Sequence, residues 1–188
     1  EDVALSLLEI KKKSAAFDVF QVDEGWESYF GEREPNEKFP RSMKEVAQEI
    51  RNAGLTAGIW TSPFIAHETA SDGRNIQSGF YVTKQGSLSV HMNDTVYQVF
   101  DITNPEVYSY FTELYKKLTF DWGYTYHKRI LPELAVLYED ADFFDKTVYT
   151  GKGIFPATEA VRKGMGNDSY FLIAVGLYDP IIGLVDGQ

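Results

Sequence analysis

A chain of 188 residues has room for one sizeable core, and a formal net charge of −10 excludes the clustered Lys and Arg that a nucleic-acid partner requires. A hydrophobic fraction of 44% with 15% aromatics excludes disorder as the resting state. No apolar run reaches the length of a membrane span, Glu1-Asp2-Val3 does not read as a signal peptide, and the lack of cysteine excludes disulfides and thiolate metal sites.

Apolar positions at Val3, Leu5, Leu7, Leu8 and Ile10, followed by Lys11-Lys12-Lys13, predict a first helix with cations in its last turn. Phe17 to Val22 reads as a buried strand, and the polar stretch from Ser28 to Pro40 as a loop. Ser42 with Glu45 three residues on forms a capping box for a helix from Met43 to Asn52. That helix carries Met43, Val46, Ala47 and Ile50 on one stripe and stops at Gly54. Leu55 to Trp60 is the next strand; Ile65 to Ser89 reads as loop with a hairpin around Gln85-Gly86.

Val96 to Ile102 is extended, and Thr103-Asn104-Pro105 opens a helix running to about Asp121, with Gly123 ending it. A strand from Tyr124 to Leu131, a loop from Tyr138 to Gly153, a helix from Ala157 to Met165 and a strand from Tyr170 to Val175 complete the order. Strands alternating with helices predict parallel βαβ units in a single domain over residues 1–188. In such a sheet ligands meet the carboxyl ends of the strands. Two of those ends carry Asp23-Glu24-Gly25-Trp26 and Trp60-Thr61-Ser62-Pro63-Phe64.

These strings resemble the α-galactosidase clan around glycoside hydrolase family 36. Asp23-Glu24-Gly25-Trp26 is similar to the family's Asp-Asp-Gly-Trp, and Gly31 to Asn36 lies over its Gly-Asp-Trp-x-Pro-Asn loop. Gly58 to Phe64 resembles a family strand end, Asp101 to Val107 its Asp-Val-Thr-Asn-Pro-x-Val, and Trp122-Gly123-Tyr124 leads into the strand bearing its Lys-x-Asp. The fold implied is a TIM barrel, of which these residues would span roughly the first helix to the fifth strand. A partial barrel exposes two strand edges, so the expectation is a homo-oligomer paired through those edges, a re-packed sheet, or a piece cut from something larger.

The resemblance also fixes what to expect of the chemistry. A retaining glycosidase uses two carboxyl groups, a nucleophile and an acid/base. Lys128 matches the lysine of the family's Lys-x-Asp, and Ile130 stands in the nucleophile's place. By the same resemblance the acid/base carboxylate would fall after Gln188, and Arg33 replaces a loop tryptophan. No catalytic residue is therefore assigned. The substrate-binding candidates for an α-galactoside are Asp23, Glu24, Trp60 and Lys128.

Each candidate has a plainer reading. Asp23 and Glu24 can cap a strand end, Trp60 can fill an interior layer, and Lys128 can be an ion-paired lysine. The alternatives are a self-associating scaffold of engineered origin without natural activity, and an active α-galactosidase whose carboxylates come from elsewhere, with Glu133 the nearest. His67, His91 and His127 follow extended segments without a compact ligand spacing, so neither metal nor cofactor is expected. Alternation along the strand sends His127 and Arg129 towards the helices, and a buried unpaired arginine is costly. That predicts an edge position or a different packing for this strand.

Overall fold

A computed structural model describes residue 9 and residues 17–70, 89–92, 95–130, 142–147, 153–175 and 179–188. The expected N-terminal helix apart from residue 9, the turn at Gln85-Gly86, the segment containing Glu133 and most of the Tyr138 to Gly153 loop lie outside the described residues.

Four strands form one parallel sheet: β1 (Val19–Val22), β2 (Thr56–Thr61), β6 (Tyr126–Ile130) and β7 (Tyr170–Ala174), in the order β1-β2-β6-β7. The register aligns Val22 with Ile59, Trp60 with Lys128 and Ile130 with Ala174, which brings the carboxyl ends to one edge. Beyond β7 the chain returns to pair Gly187 with Leu172, also in parallel. A second, antiparallel sheet is built from β3 (Ile65–His67), β4 (Ser89–Met92) and β5 (Thr95–Val99), in the order β3-β5-β4. β4 and β5 pair antiparallel, with Met92 opposite Thr95.

Among the described residues three α-helices have defined bounds, and each follows from local sequence. In α1 (Met43–Asn52) the capping box is formed reciprocally: the Ser42 hydroxyl accepts from the Glu45 N–H, and the Glu45 carboxylate accepts from the Ser42 N–H at 2.9 Å. Met43, Val46, Ala47 and Ile50 are its buried stripe, as expected of an amphipathic helix. In α2 (Pro105–Lys116) the Asn104 side chain accepts from the Glu106 N–H at 2.9 Å, and Pro105 occupies the first turn where its missing donor costs nothing. The α2 helix continues into a π-helical turn, Lys117–Asp121. The third, α3, covers Ile154–Met165.

Core residues of these helices pack with Val22, Ala57, Ile59, Phe171 and Ile173 of the sheet. The other face of the sheet holds Gln21, Gly58, Trp60, Tyr126 and Lys128. A Cβ at Gly58 would lie 3.0 Å from the Tyr126 ring and 3.1 Å from the Gln21 Cβ, so any larger residue requires those side chains to give way by a few tenths of an ångström.

The strand β6 is central, flanked by β2 and β7, which corrects the expected edge position. Arg129 is fully buried there because the helix layer supplies matching groups. Its Nη2 donates to the Thr158 hydroxyl at 3.0 Å, and its guanidinium lies 5.0 Å from the Phe64 ring centre and 5.4 Å from that of Phe171. His127, also fully buried, shares a 2.9 Å hydrogen bond with Thr119 of the π-helical turn.

Candidate functional site

The carboxyl edge of the parallel sheet is shaped first by its framework residues. Gly25 takes a φ of +100°, open to glycine, and turns the chain so that Trp26 folds back over β2. The Trp26 indole donates to the Trp60 carbonyl at 2.9 Å, and the Asn36 side chain donates to the Gly25 carbonyl at 3.0 Å. Arg33, where the family resemblance has a tryptophan, points inward instead of towards a ligand. Its guanidinium donates to the Ser62 and Pro63 carbonyls at 3.3 and 2.8 Å, and its N–H donates to the buried Glu27 carboxylate at 3.1 Å. The loop after β1 is thus tied to the end of β2 by buried polar groups.

On that frame Asp23 and Lys128 meet. The Lys128 ammonium donates to Asp23 Oδ2 at 2.8 Å, bridging the ends of β1 and β6 across β2. Asp23 also accepts from the Gln21 amide at 2.6 Å and from the Glu24 N–H at 2.8 Å. Partial burial pushes its carboxyl up, but the hydrogen bonds from Lys128 and Glu24, the Lys128 charge and the Gln21 bond outweigh it and hold Asp23 below the ordinary carboxylate range. Asp23 is therefore ionised at neutral pH and presents hydrogen-bond acceptors to solvent.

Trp60 belongs to the same edge but is only 2% exposed, with the Phe30 ring 5.2 Å away, so its face is covered. Ile130, two residues beyond Lys128 and on the same face of β6, is half-buried and lies beside Ala174. Glu24 faces a cavity of about 270 Å³ between the loop after β1 and the antiparallel sheet. Tyr29, Phe30, His67 and Tyr97 line the same cavity. Of these four only His67 was weighed by sequence, and as a metal ligand, although the adjacent Tyr29-Phe30 pair in a polar loop was a usable signal. His67 and His127 do not converge: His67 is in the antiparallel sheet and His127 in the helix-facing layer of the other. Among the described residues no group of three or more His, Asp or Glu is arranged to hold a metal ion.

Helices packed on one face of a parallel sheet, with polar groups gathered where the strands end, define a partial (β/α) barrel. The chain belongs to glycosyl hydrolases family 31: the model of that family's TIM-barrel domain matches residues 1–141. The resemblance to family 36 is corrected accordingly, while the wider grouping of glycoside hydrolases stands. Its strings were largely framework, the Gly25-Trp26 turn, the Asn36 tie and the Asn104-Pro105 cap, which hold a barrel of this kind together without distinguishing neighbouring families.

Solved structures agree on the fold. An α-galactosidase from Thermus thermophilus, in complex with stachyose, superposes with a TM-score of 0.81 at 28% identity, covering 100% of this chain and 39% of that one. A family 36 α-galactosidase from Geobacillus stearothermophilus, also with stachyose, gives 0.73 at 14% identity over 94% of this chain and 27% of that one. A family 31 sulfoquinovosidase from E. rectale gives 0.72 at 16% identity over 92% and 29% respectively. The chain thus spans well under half the length of each of these relatives.

Proposed function

We propose that the carboxyl edge of the parallel sheet binds an α-galactoside and that this chain does not itself form a glycosyl-enzyme intermediate. The observation that carries the reading is the Asp23–Lys128 pair at 2.8 Å, with Ile130 next along the same face of β6. An ionised carboxylate beside an ammonium offers acceptors and donors to the vicinal hydroxyls of a sugar. Glu24 adds a second carboxylate at the end of β1, and Trp60 supports the site from beneath Phe30.

Retaining hydrolysis requires an oxygen nucleophile that attacks the anomeric carbon as the glycosidic oxygen leaves. In the resemblance to α-galactosidases that oxygen belongs to the residue aligned with Ile130, and an isoleucine side chain has no lone pair with which to form the bond. The choice of galactoside over other sugars is supported by the 28% identity to the Thermus thermophilus α-galactosidase, which was also solved with p-nitrophenyl α-D-galactopyranoside.

Mixing the protein with p-nitrophenyl α-galactoside tests both halves. Saturable quenching of tryptophan fluorescence without release of nitrophenol is the expected result. Release that continues through many turnovers overturns the non-hydrolytic half, and absence of any saturable signal overturns the binding half.

A further inference from the structure

We propose that Arg33 is a positioning residue of the sugar site: its buried guanidinium holds the ends of β1 and β2 at the spacing that lets Asp23 meet Lys128. The inference rests on the α-galactoside reading above and extends it to a residue set behind the site. The β1–β2 ladder ends at the pair Val22 and Ile59, so Asp23 and Glu24 lie beyond its last rung. The strand β2, by contrast, stays in register with β6 through Trp60 and Lys128 and then Thr61 and Arg129. Lys128 is thus placed by the sheet, whereas Asp23 has to be placed by the loop that follows it.

That loop reaches β2 through Arg33. Nη1 donates to the Ser62 carbonyl at 3.3 Å and Nη2 to the Pro63 carbonyl at 2.8 Å, both in buried residues just past the end of β2. Buried carbonyls need donors, and a planar guanidinium serves two at once where an ammonium is a single point of charge. The Arg33 N–H donates to Glu27 Oε2 at 3.1 Å, and the Asn36 N–H donates to the Trp26 carbonyl at 2.8 Å, so the loop is closed on itself. The neighbouring residue shows the contrast. Glu34 pairs with Lys117 at 2.9 Å, but their side chains are 60% and 40% exposed, so that bridge holds the loop only weakly.

Arg33 sits at a φ of +59°, in the left-handed region that residues other than glycine seldom adopt, and it is only 6% exposed. Both features cost stability: the left-handed backbone strains an L-residue, and burial strips water from a cation. An apolar side chain would fill the same space without that desolvation, so packing alone does not account for an arginine here. What an apolar side chain cannot do is grip two carbonyls. Backbone strain held in place by surrounding bonds is characteristic of segments that position a ligand.

Arg33→Gly removes the guanidinium from a backbone position that glycine adopts without strain and leaves a space of matching shape. Calorimetric titration of methyl α-galactoside is expected to show about tenfold weaker binding, restored to within about twofold by about 20 mM guanidinium, well below denaturing concentrations. Methylammonium at the same concentration, a cation without the fork, is expected to restore nothing. Arg33→Lys, which keeps the charge, is expected to bind as weakly as Arg33→Gly, and it carries the test should the glycine variant fail to fold. Unchanged affinity in either folded variant overturns the positioning role and leaves the sugar site standing. So does a loss in Arg33→Gly that guanidinium does not restore, or that both cations restore equally. Failure of the unaltered protein to bind the sugar removes the α-galactoside reading and this role with it.

Discussion

On the helix-facing side of β6, His127 and Arg129 are fully buried, bonded to Thr119 and Thr158, with the Arg129 guanidinium set against the Phe64 and Phe171 rings. On the opposite side Lys128 keeps 25% of its side chain exposed and reaches Asp23, itself 52% exposed. Both sides carry nitrogen bases on a central parallel strand, yet water reaches only one of them. Polar groups sealed under helices specify how the layers fit and are costly to disturb, whereas a half-solvated ion pair contributes little to stability and remains available to a ligand. That difference separates the residues that hold this fold from those that can act on something outside it.

The sharpest way to break the comparison is Arg129→Ala. It removes a fully buried side chain, opens a cavity between Phe64 and Phe171 and strips Thr158 of its donor, at an expected cost of about 3 kcal/mol in urea unfolding. A cost below about 1 kcal/mol would mean that the layer behaves like a surface.

A comparable effect is expected from pH. Burial holds His127 down to about 4, against an ordinary value near 6.5, so the unfolded chain binds a proton through that interval and the folded one does not. Stability from this group is complete above about pH 6.5 and declines as pH falls towards 4, by up to about 3 kcal/mol. His127→Gln should flatten that part of the profile, read as the difference between the two proteins' urea midpoints at pH 7 and 4.5. Identical slopes would place the imidazole in contact with water.

The smallest stability effects belong to the other side of the strand. Asp23→Asn and Lys128→Met are each expected to change unfolding free energy by less than about 1 kcal/mol, because the pair is half-solvated. Thermal unfolding checks this, and a larger loss would assign the pair to the frame.

Much of the frame was legible because its signals are local. Ser42 and Glu45 bracket the start of α1, Gly54 follows its end, and Asn104-Pro105 opens α2. The α3 helix begins earlier than the apolar pattern indicates, at Ile154 rather than Ala157. Pro156 lies in its first turn, where a proline forfeits no intrahelical bond. The central position of β6 was misread because Arg129 is balanced by Phe64, Thr158 and Phe171, which reach it only through the folded sheet.

Asp23 and Lys128 were nominated separately, each by its match to a string of the α-galactosidase resemblance, and it is the parallel register of β1, β2 and β6 that brings them together. Trp60 was nominated for its place at a strand end, and it is the Phe30 ring that covers its face. The aromatic cavity was hidden for a different reason: Tyr29, His67 and Tyr97 come from a loop and two strands of a sheet whose pairing their own sequences do not announce.

The measurement that tests the account most directly is a calorimetric titration of methyl α-galactoside into the unaltered protein and into Asp23→Asn. The account predicts saturable binding that weakens at least about tenfold in the variant, the loss of one charge-assisted contact, with the unfolding midpoint unchanged. Equal affinity in the two proteins, or no binding in either, would contradict the assignment of the Asp23–Lys128 edge as a sugar site.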